Sequence, residues 1–223
     1  MTNTIYTKTY DAPAINHKEI LRYAGVRENT PEIDDLISSC LQEIEGKLTY
    51  NVCYREFPLN VTDNNIDLGF MTSTSLSLRR NLVNCKSIIL FAATIGIGID
   101  RLITRYSRIS PSKAFMFQTI GAERIESLCD TFNDEIEVLK HEENASLRPR
   151  FSPGYGDFPL EAQREIFKVL DCPRKIGLTL NDSMLMSPSK SVTAIIGVSD
   201  EPCGVKHKEN CEICNKFDCI YRK

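Results

Sequence analysis

The ten residues RFSPGYGDFP, from Arg150 to Pro159, bring together groups that could bind a small molecule. Arg150 has a planar guanidinium that can hold a carboxylate through two parallel hydrogen bonds. Gly154 and Gly156 have no side chain, so the backbone there can approach a ligand closely. Tyr155 offers an aromatic face that attracts a cation. A turn alone requires a glycine and a proline, and it requires neither the arginine nor the tyrosine.

These residues leave two interpretations of the loop open. In the first, the loop recognises a carboxylate, a positively charged sulfur and a purine edge, the combination of groups found in S-adenosylmethionine. In the second, it is a surface loop in which Arg150 forms a structural salt bridge. Choosing between them requires knowing what lies opposite the arginine in the folded chain.

A second group of candidate residues is a set of four cysteines within residues 201–223, spaced C-x7-C-x2-C-x4-C: Cys203, Cys211, Cys214 and Cys219. Four thiolates at such short spacing suit a tetrahedral zinc ion or an iron–sulfur cluster. The alternative is a tail of free thiols. The chain has nine cysteines, and an odd count weighs against a complete set of disulfides. The other five are expected to be small buried hydrophobic residues: Cys40, Cys53, Cys85, Cys129 and Cys172.

Charge and hydropathy exclude several classes of function. The 27 basic and 30 acidic residues give a net charge of −3 without strong clustering, which argues against nucleic-acid binding through a basic face. The first sixteen residues contain no apolar stretch of signal-peptide length. The longest apolar run, Ile88 to Ile99, is too short to span a membrane. We therefore expect a cytoplasmic protein.

Sequence motifs for other kinds of binding or catalytic site are absent or have the wrong residue spacing. Gly96-Ile97-Gly98 follows an apolar run, but Arg101 occupies the position of the third glycine that a dinucleotide fingerprint requires, so a plain strand-to-helix turn is preferred. The chain has neither a nucleophile elbow nor a phosphate-binding loop. The three histidines have no metal-binding or Glu-paired spacing: His17, His141 and His207.

The helices and strands around the loop are predicted from hydrophobic periodicity. The pattern predicts helices over 17–26, 30–47, 75–84, 99–109, about 112–141 and 160–170. It predicts strands over 49–59 and 87–96, a pairing of 65–70 with 49–59, and a hairpin of 177–186 with 191–198. An extended arm precedes them, and residues 143–150 form the loop that delivers Arg150. Helices and strands do not alternate regularly, which favours the α+β class.

The long helix at about 112–141 begins at Ser110-Pro111, and its apolar residues fall on one stripe: Ile125, Leu128, Phe132, Ile136 and Leu139. A stripe of this kind is typical of a helix that packs on a sheet.

The spacing R-x-x-x-G-Y, followed by a helix and by LTLNDSMLMSPSKSVTAIIG, resembles the activation domain of cobalamin-dependent methionine synthase. The second segment places its residues where that family has its own pattern: Leu180, Ser183, Met186, Pro188, Ser191 and Val192. The resemblance is strongest over about 110–200. It implies an α+β fold, with a twisted, mainly antiparallel sheet flanked by helices.

The resemblance also implies a function. Domains of this family bind S-adenosylmethionine in a shallow groove and present its methyl group to cob(II)alamin that is being reduced. Arg150 matches the arginine that holds the ligand, Ser152 and Gly154 match positions that contact it through the backbone, and Tyr155 matches the tyrosine after the glycine. The acid on the long helix corresponds to Glu126, although an ungapped match places Ser127 there.

Three positions depart from the family pattern. Glu161 stands where the family often has histidine, Ile196 stands near a family tyrosine, and Asn16 stands near a ligand-contacting aspartate. These departures predict altered ligand contacts.

The chain resembles a free-standing activation domain over residues 1–200 with a cysteine-rich tail over 201–223. It would act as an accessory component, with no catalytic residue of its own, on a separate core methionine synthase that holds cobalamin and receives electrons from a low-potential donor. One alternative is an activator of another corrinoid methyltransferase. The other is a non-catalytic, metal-stabilised interaction protein.

Overall fold

The computed structural model describes residues 4–62 and 64–200. Its helices are α1 (His17–Tyr23), α2 (Pro31–Ile44), α3 (Leu76–Asn81), α4 (Gly98–Tyr106), α5 (Pro111–Glu142), α6 (Gln163–Leu170) and α7 (Cys172–Ile176), with a 3-10 turn at Leu160–Ala162. None of the helices in the described ranges combines the length and the apolar character that crossing a membrane requires.

The strands form one main sheet and two small ones. They are β1 (Tyr6–Tyr10), β2 (Tyr50–Pro58), β3 (Asn60–Val61), β4 (Ile66–Asp67), β5 (Thr72–Ser73), β6 (Ser87–Thr94), β7 (Ser146–Leu147), β8 (Thr179–Leu180), β9 (Met186–Ser187) and β10 (Ser191–Ser199). The main sheet has the order β1-β2-β6-β10-β7, and every neighbouring pair is antiparallel. The predicted α+β class with a mainly antiparallel sheet is confirmed.

Hydrophobic cores cover both faces of the main sheet. On one face, α1, α2, α4 and α5 pack against residues such as Val52, Phe91 and Ile196. On the other face, α3, α6 and α7 pack against Cys53, Leu90 and Ile195. The central strand β6 is buried along its whole length, which explains why its sequence is continuously apolar rather than alternating.

The long helix α5 follows the predicted stripe closely. Ile125, Leu128, Phe132 and Ile136 are all at most 5% exposed, whereas Leu139 at the end of the stripe is 46% exposed. The helix spans 32 residues, or about 48 Å at 1.5 Å per residue. The N-terminal arm and the loop at Arg150 both contact this helix.

Several predicted pairings are wrong. The segment 177–186 does not form a hairpin with 191–198, because β8 pairs with β9 whereas β10 pairs with β6 and β7. Likewise, β4 pairs with β3 and β5 instead of β2. The long apolar strand β10 finds a partner of matching length and burial in β6. Residues 143–150 were predicted to be a loop but contain strand β7. No helix was predicted directly after residue 170, where the structure has α7.

Four of the five cysteines predicted to be structural are buried, and Cys85 is half-buried. Burial raises the pKa of Cys40 to about 11. A thiol of this kind is mostly protonated at neutral pH and therefore unreactive.

Candidate functional site

The loop that carries Arg150 is fixed to the edge of the main sheet. Arg148 donates its N–H to the carbonyl of Gly197 at 2.8 Å, and Phe151 and Ile195 exchange two backbone hydrogen bonds of 2.9 Å. Successive residues of an extended chain point to opposite faces. Phe151 therefore packs against the core formed with α6 and α7, and Arg150 faces α5.

Two carboxylates of α5 hold the guanidinium of Arg150. Its Nη2 lies 3.1 Å from Oε2 of Glu126, and its Nη1 lies 2.8 Å from Oδ1 of Asp130. These acids are four residues apart and so share one face of the helix. Ser127 points elsewhere, because its hydroxyl donates to Glu123 at 2.7 Å. Of the two positions considered from the sequence, it is Glu126 that meets the arginine.

The site is open to solvent. The side chains of Arg150, Glu126 and Asp130 are 22%, 46% and 67% exposed. A guanidinium has five N–H donors in a planar fork, so a third carboxylate can bind alongside these two. Asp130 was not predicted, although its i,i+4 spacing from Glu126 on a predicted helix was a usable signal.

The end of α1 forms a further wall beside the acids. The Arg22 guanidinium lies 4.3 Å from the centre of the Tyr23 ring and pairs with Glu19 at 2.6 Å. Burial, followed by the negative charge of Glu126, raises the pKa of Tyr23 to about 12. The Tyr23 phenol therefore stays neutral near the site. The sequence pattern did not identify Tyr23 as a site residue.

A buried ion pair anchors the N-terminal arm to α5. Arg124 pairs with Glu123 at 2.5 Å and donates to the carbonyls of Pro13 and Ala14 at 2.6 and 2.8 Å. Asn16 donates its backbone N–H to Glu123 at 3.0 Å, and its side-chain oxygen caps α1 by accepting from Glu19. Glu123 and Arg124 are each 1% exposed. This pair sets where α1 begins, and hence where Tyr23 lies.

The glycines of the loop have different roles. Gly154 has φ +89°, a conformation that favours glycine, and a Cβ there would meet only Leu160 at 3.4 Å. Gly156 has φ +55°, and a Cβ there would lie 2.4 Å from the Ser77 hydroxyl. Gly156 is therefore required by packing against α3, whereas Gly154 leaves open space beside the site.

Tyr155 lies next to Gly154 at the loop tip. It is 60% exposed, and its ring meets the ring of Phe151 edge-on at 6.0 Å. Ser152 is half-buried, and its carbonyl accepts the N–H of Tyr155 at 3.1 Å. The predicted residues Arg150, Ser152, Gly154 and Tyr155 thus belong to one short loop, in which Arg150 contacts Glu126 and Tyr155 lies against Phe151.

Asp157 locks the far end of the same loop to α3. Its carboxylate accepts the hydroxyl of Ser75 at 2.6 Å and the backbone N–H groups of Leu76 and Ser77 at 2.7 and 2.9 Å. The Ser75 hydroxyl, followed by the Ser77 N–H, holds the pKa of Asp157 well below its usual range. The loop is therefore rigid at this end.

The other predicted positions have no contact with the Arg150 guanidinium among the described hydrogen bonds and ion pairs. Ile196 is 0% exposed within the core, so it cannot contact a ligand in a surface groove. Glu161 is exposed in the 3-10 turn. Within residues 4–62 and 64–200, no group of three His, Cys, Asp or Glu side chains is placed to hold a metal ion. The predicted metal ligands Cys203, Cys211, Cys214 and Cys219 lie outside the described residues.

Comparison with known proteins agrees with the resemblance that the loop indicated. A family profile described as "Vitamin B12 dependent methionine synthase, activation domain" matches residues 80–203. The fold is similar to the solved structure "Crystal Structure of the MetH Reactivation Domain bound to AdoHcy", with a TM-score of 0.67 and 14% identity over 94% of this chain and 84% of that chain. No curated protein sequence matches the chain.

Proposed function

Because the chain belongs to the activation domain family of vitamin B12 dependent methionine synthase, we propose that it binds S-adenosylmethionine and supports the reductive methylation of cob(II)alamin on a separate methionine synthase. The observation that carries the proposal is the Arg150 guanidinium, which Glu126 and Asp130 hold and which belongs to the same short loop as the exposed Tyr155. This cluster lies within the segment that matches the family.

The residues of the cluster fit the ligand. Arg150 can take the carboxylate of S-adenosylmethionine, because Glu126 and Asp130 contact only its two terminal nitrogens with one oxygen each. The same two acids offer oxygen acceptors to the ammonium group. Tyr155 presents an aromatic face to the positively charged sulfur or to the purine. The related reactivation domain that was solved with AdoHcy supports this choice of ligand.

The chemistry explains why the chain supplies neither a base nor a nucleophile. An external donor adds one electron to cob(II)alamin, and the resulting cobalt(I) uses its electron pair to form a bond to the methyl carbon. The carbon–sulfur bond breaks, its electrons stay on sulfur, and S-adenosylhomocysteine leaves. The work of this chain is to hold the methyl group in a fixed orientation for attack.

A reconstituted reaction tests the proposal. The protein alone is expected to turn over nothing. Mixed with a core methionine synthase, a low-potential reductant and S-adenosylmethionine, it should convert cob(II)alamin into methylcobalamin, followed by absorption spectroscopy. A second corrinoid methyltransferase in place of the methionine synthase tests partner identity. Equal rates with and without the chain would refute the role.

For the cysteine tail, we propose one metal site per chain, formed by Cys203, Cys211, Cys214 and Cys219. The x2 spacing between the central pair lets two sulfurs hold one metal from a single turn, and soft thiolates select zinc or iron–sulfur over magnesium or calcium. We favour an iron–sulfur cluster, since the reaction consumes a low-potential electron.

Metal analysis of anaerobically purified protein decides between these options. Iron with acid-labile sulfide is expected in wild type and should be lost in the Cys211→Ser/Cys214→Ser variant, whereas Cys85→Ser should retain it. Stoichiometric zinc would make the tail structural, and the absence of any metal would remove the site.

A further inference from the structure

Two cysteines from distant parts of the chain meet in the core on the face of the sheet opposite α5. Cys53 lies in β2 and Cys172 is the first residue of α7, and both are 0% exposed. A hydrogen bond joins their side chains. The two residues are about 120 positions apart in the sequence, so only the fold brings their sulfurs together. The proposed reaction uses neither thiol.

The surroundings of this pair favour an uncharged group. Cys53 and Cys172 belong to a core of apolar residues that includes Leu90 and Leu178. The hydrogen bond to Cys53, followed by burial, raises the pKa of Cys172. A metal ion held by two thiolates would place charged groups in this core, which costs free energy. A disulfide carries no charge, so it is the product that the core can hold.

Helix α7 shields the pair from solvent. It is five residues long and packs on β2 and β6, and its residues 173–175 are exposed. Left-handed backbone conformations bound it on both sides, with φ +49° at Asp171 and φ +66° at Gly177. A helix this short gains little stability from its own hydrogen bonds, so it can open locally while the sheet stays folded. An oxidant reaches the two sulfurs when α7 opens.

We propose that Cys53 and Cys172 are a redox-sensitive pair, which a peroxide converts into a disulfide that ties the corner between α6 and α7 to the main sheet. First, a thiolate sulfur attacks one peroxide oxygen, the oxygen–oxygen bond breaks and a sulfenic acid forms. The other sulfur then attacks the sulfenic sulfur, whose oxygen leaves as water. With hydrogen peroxide, two thiols are oxidised to one disulfide and the peroxide is reduced to two molecules of water. The inference is independent of ligand binding.

Peptide mapping of the full chain tests the inference. The reduced protein is exposed to hydrogen peroxide until its free-thiol content stops falling, and the remaining thiols are then alkylated in denaturant. Trypsin, which cleaves after lysine and arginine, should release residues 48–55 and 169–174 as one linked species that dithiothreitol separates. Recovery of these two peptides without a link between them would overturn the inference.

Thermal unfolding gives a second readout. A disulfide across about 120 residues restricts the unfolded chain, so the peroxide-treated protein should unfold about 5–15 °C above the reduced protein. Cys172→Ala should abolish the link and the shift. Cys40→Ala removes an equally buried thiol on the opposite face of the sheet and should leave both unchanged.

The two readouts decide the question together. A thermal shift of the same size in Cys172→Ala and in wild type would contradict the proposal, because the shift would then come from other groups that peroxide oxidises. The mapping requires only the wild-type chain, so it decides the question even if Cys172→Ala fails to fold.

Discussion

Arg124 and Arg150 both pair with acids of α5, yet they differ in almost every physical respect. Arg124 is 1% exposed, and it donates to Glu123 and to two backbone carbonyls. The Arg150 side chain is 22% exposed, and its two acidic partners are about half-exposed or more. The first arginine is enclosed by the protein. The second meets the protein on one side and solvent on the other.

This contrast indicates which arginine can exchange partners. A buried ion pair cannot lose one member without leaving an uncompensated charge, so the Glu123–Arg124 pair behaves as a fixed part of the fold. An exposed pair contributes little to stability, because water solvates its members nearly as well. Arg150 can therefore turn its free donors to a ligand carboxylate at small cost to the fold.

The largest expected effect is on folding. Arg124→Met should lower the free energy of unfolding by about 3–5 kcal/mol, because Glu123 would remain buried without its counter-charge. Urea denaturation measures this change. Arg101→Met, the same change at an exposed arginine of α4, should stay within about 0.5 kcal/mol of wild type. If the two variants had similar free energies of unfolding, Arg124 would not be a fixed part of the fold.

The next effect is on binding. Arg150→Ala should weaken S-adenosylmethionine binding by roughly 2–3 kcal/mol, the scale of a lost charge-assisted hydrogen bond, while lowering the free energy of unfolding by less than about 1 kcal/mol. Calorimetry and urea denaturation give the two numbers. Arg164→Ala, at an exposed arginine of α6, is the matched control. Unchanged affinity would remove the loop from the site.

The smallest effect concerns the rigid end of the loop. Asp157→Asn should lower the free energy of unfolding by about 1 kcal/mol at neutral pH, because α3 loses a charged acceptor at its N-terminus.

The effect of Asp157→Asn should depend on pH. The pKa of Asp157 is lowered in the folded state, so its contribution is present above the unfolded pKa of about 4 and is lost as pH falls through the folded value. The difference between wild type and Asp157→Asn should therefore shrink below about pH 4. Asp134→Asn, an exposed acid of α5, should show no comparable trend. A difference that is constant with pH would show that the carboxylate charge is not what holds α3.

The sequence predicted those features that depend on local pattern. The stripe on α5, the start of that helix at Pro111 and the buried strand β6 all follow from periodicity over neighbouring residues. The R-x-x-x-G-Y spacing located the loop for the same reason, since its residues are consecutive. For the acid on α5, the sequence left Glu126 and Ser127 as candidates. A shift of one residue along the helix changes which side chain faces the loop, so the sequence alone could not choose between them.

Long-range pairing could not be predicted in the same way. The short SPSK segment suggested a local hairpin, but β10 pairs with β6, which lies about a hundred residues earlier. The partner of Asp157 is equally remote in the chain, since Ser75 lies 82 residues before it. Asp130 was missed because its significance depends on Arg150, whose direction is fixed by the bridge between Phe151 and Ile195.

The contact between Arg124 and the arm has a consequence for how this domain can evolve. Arg124 binds the main-chain oxygens of Pro13 and Ala14, and β1 is held to β2 by its backbone ladder. Both interactions use main-chain atoms of the arm, so neither depends on which side chain the arm residue carries. Substitutions at residues 13 and 14 can therefore accumulate without losing this contact, so two such domains can keep the same chain path at this point after their sequences have diverged.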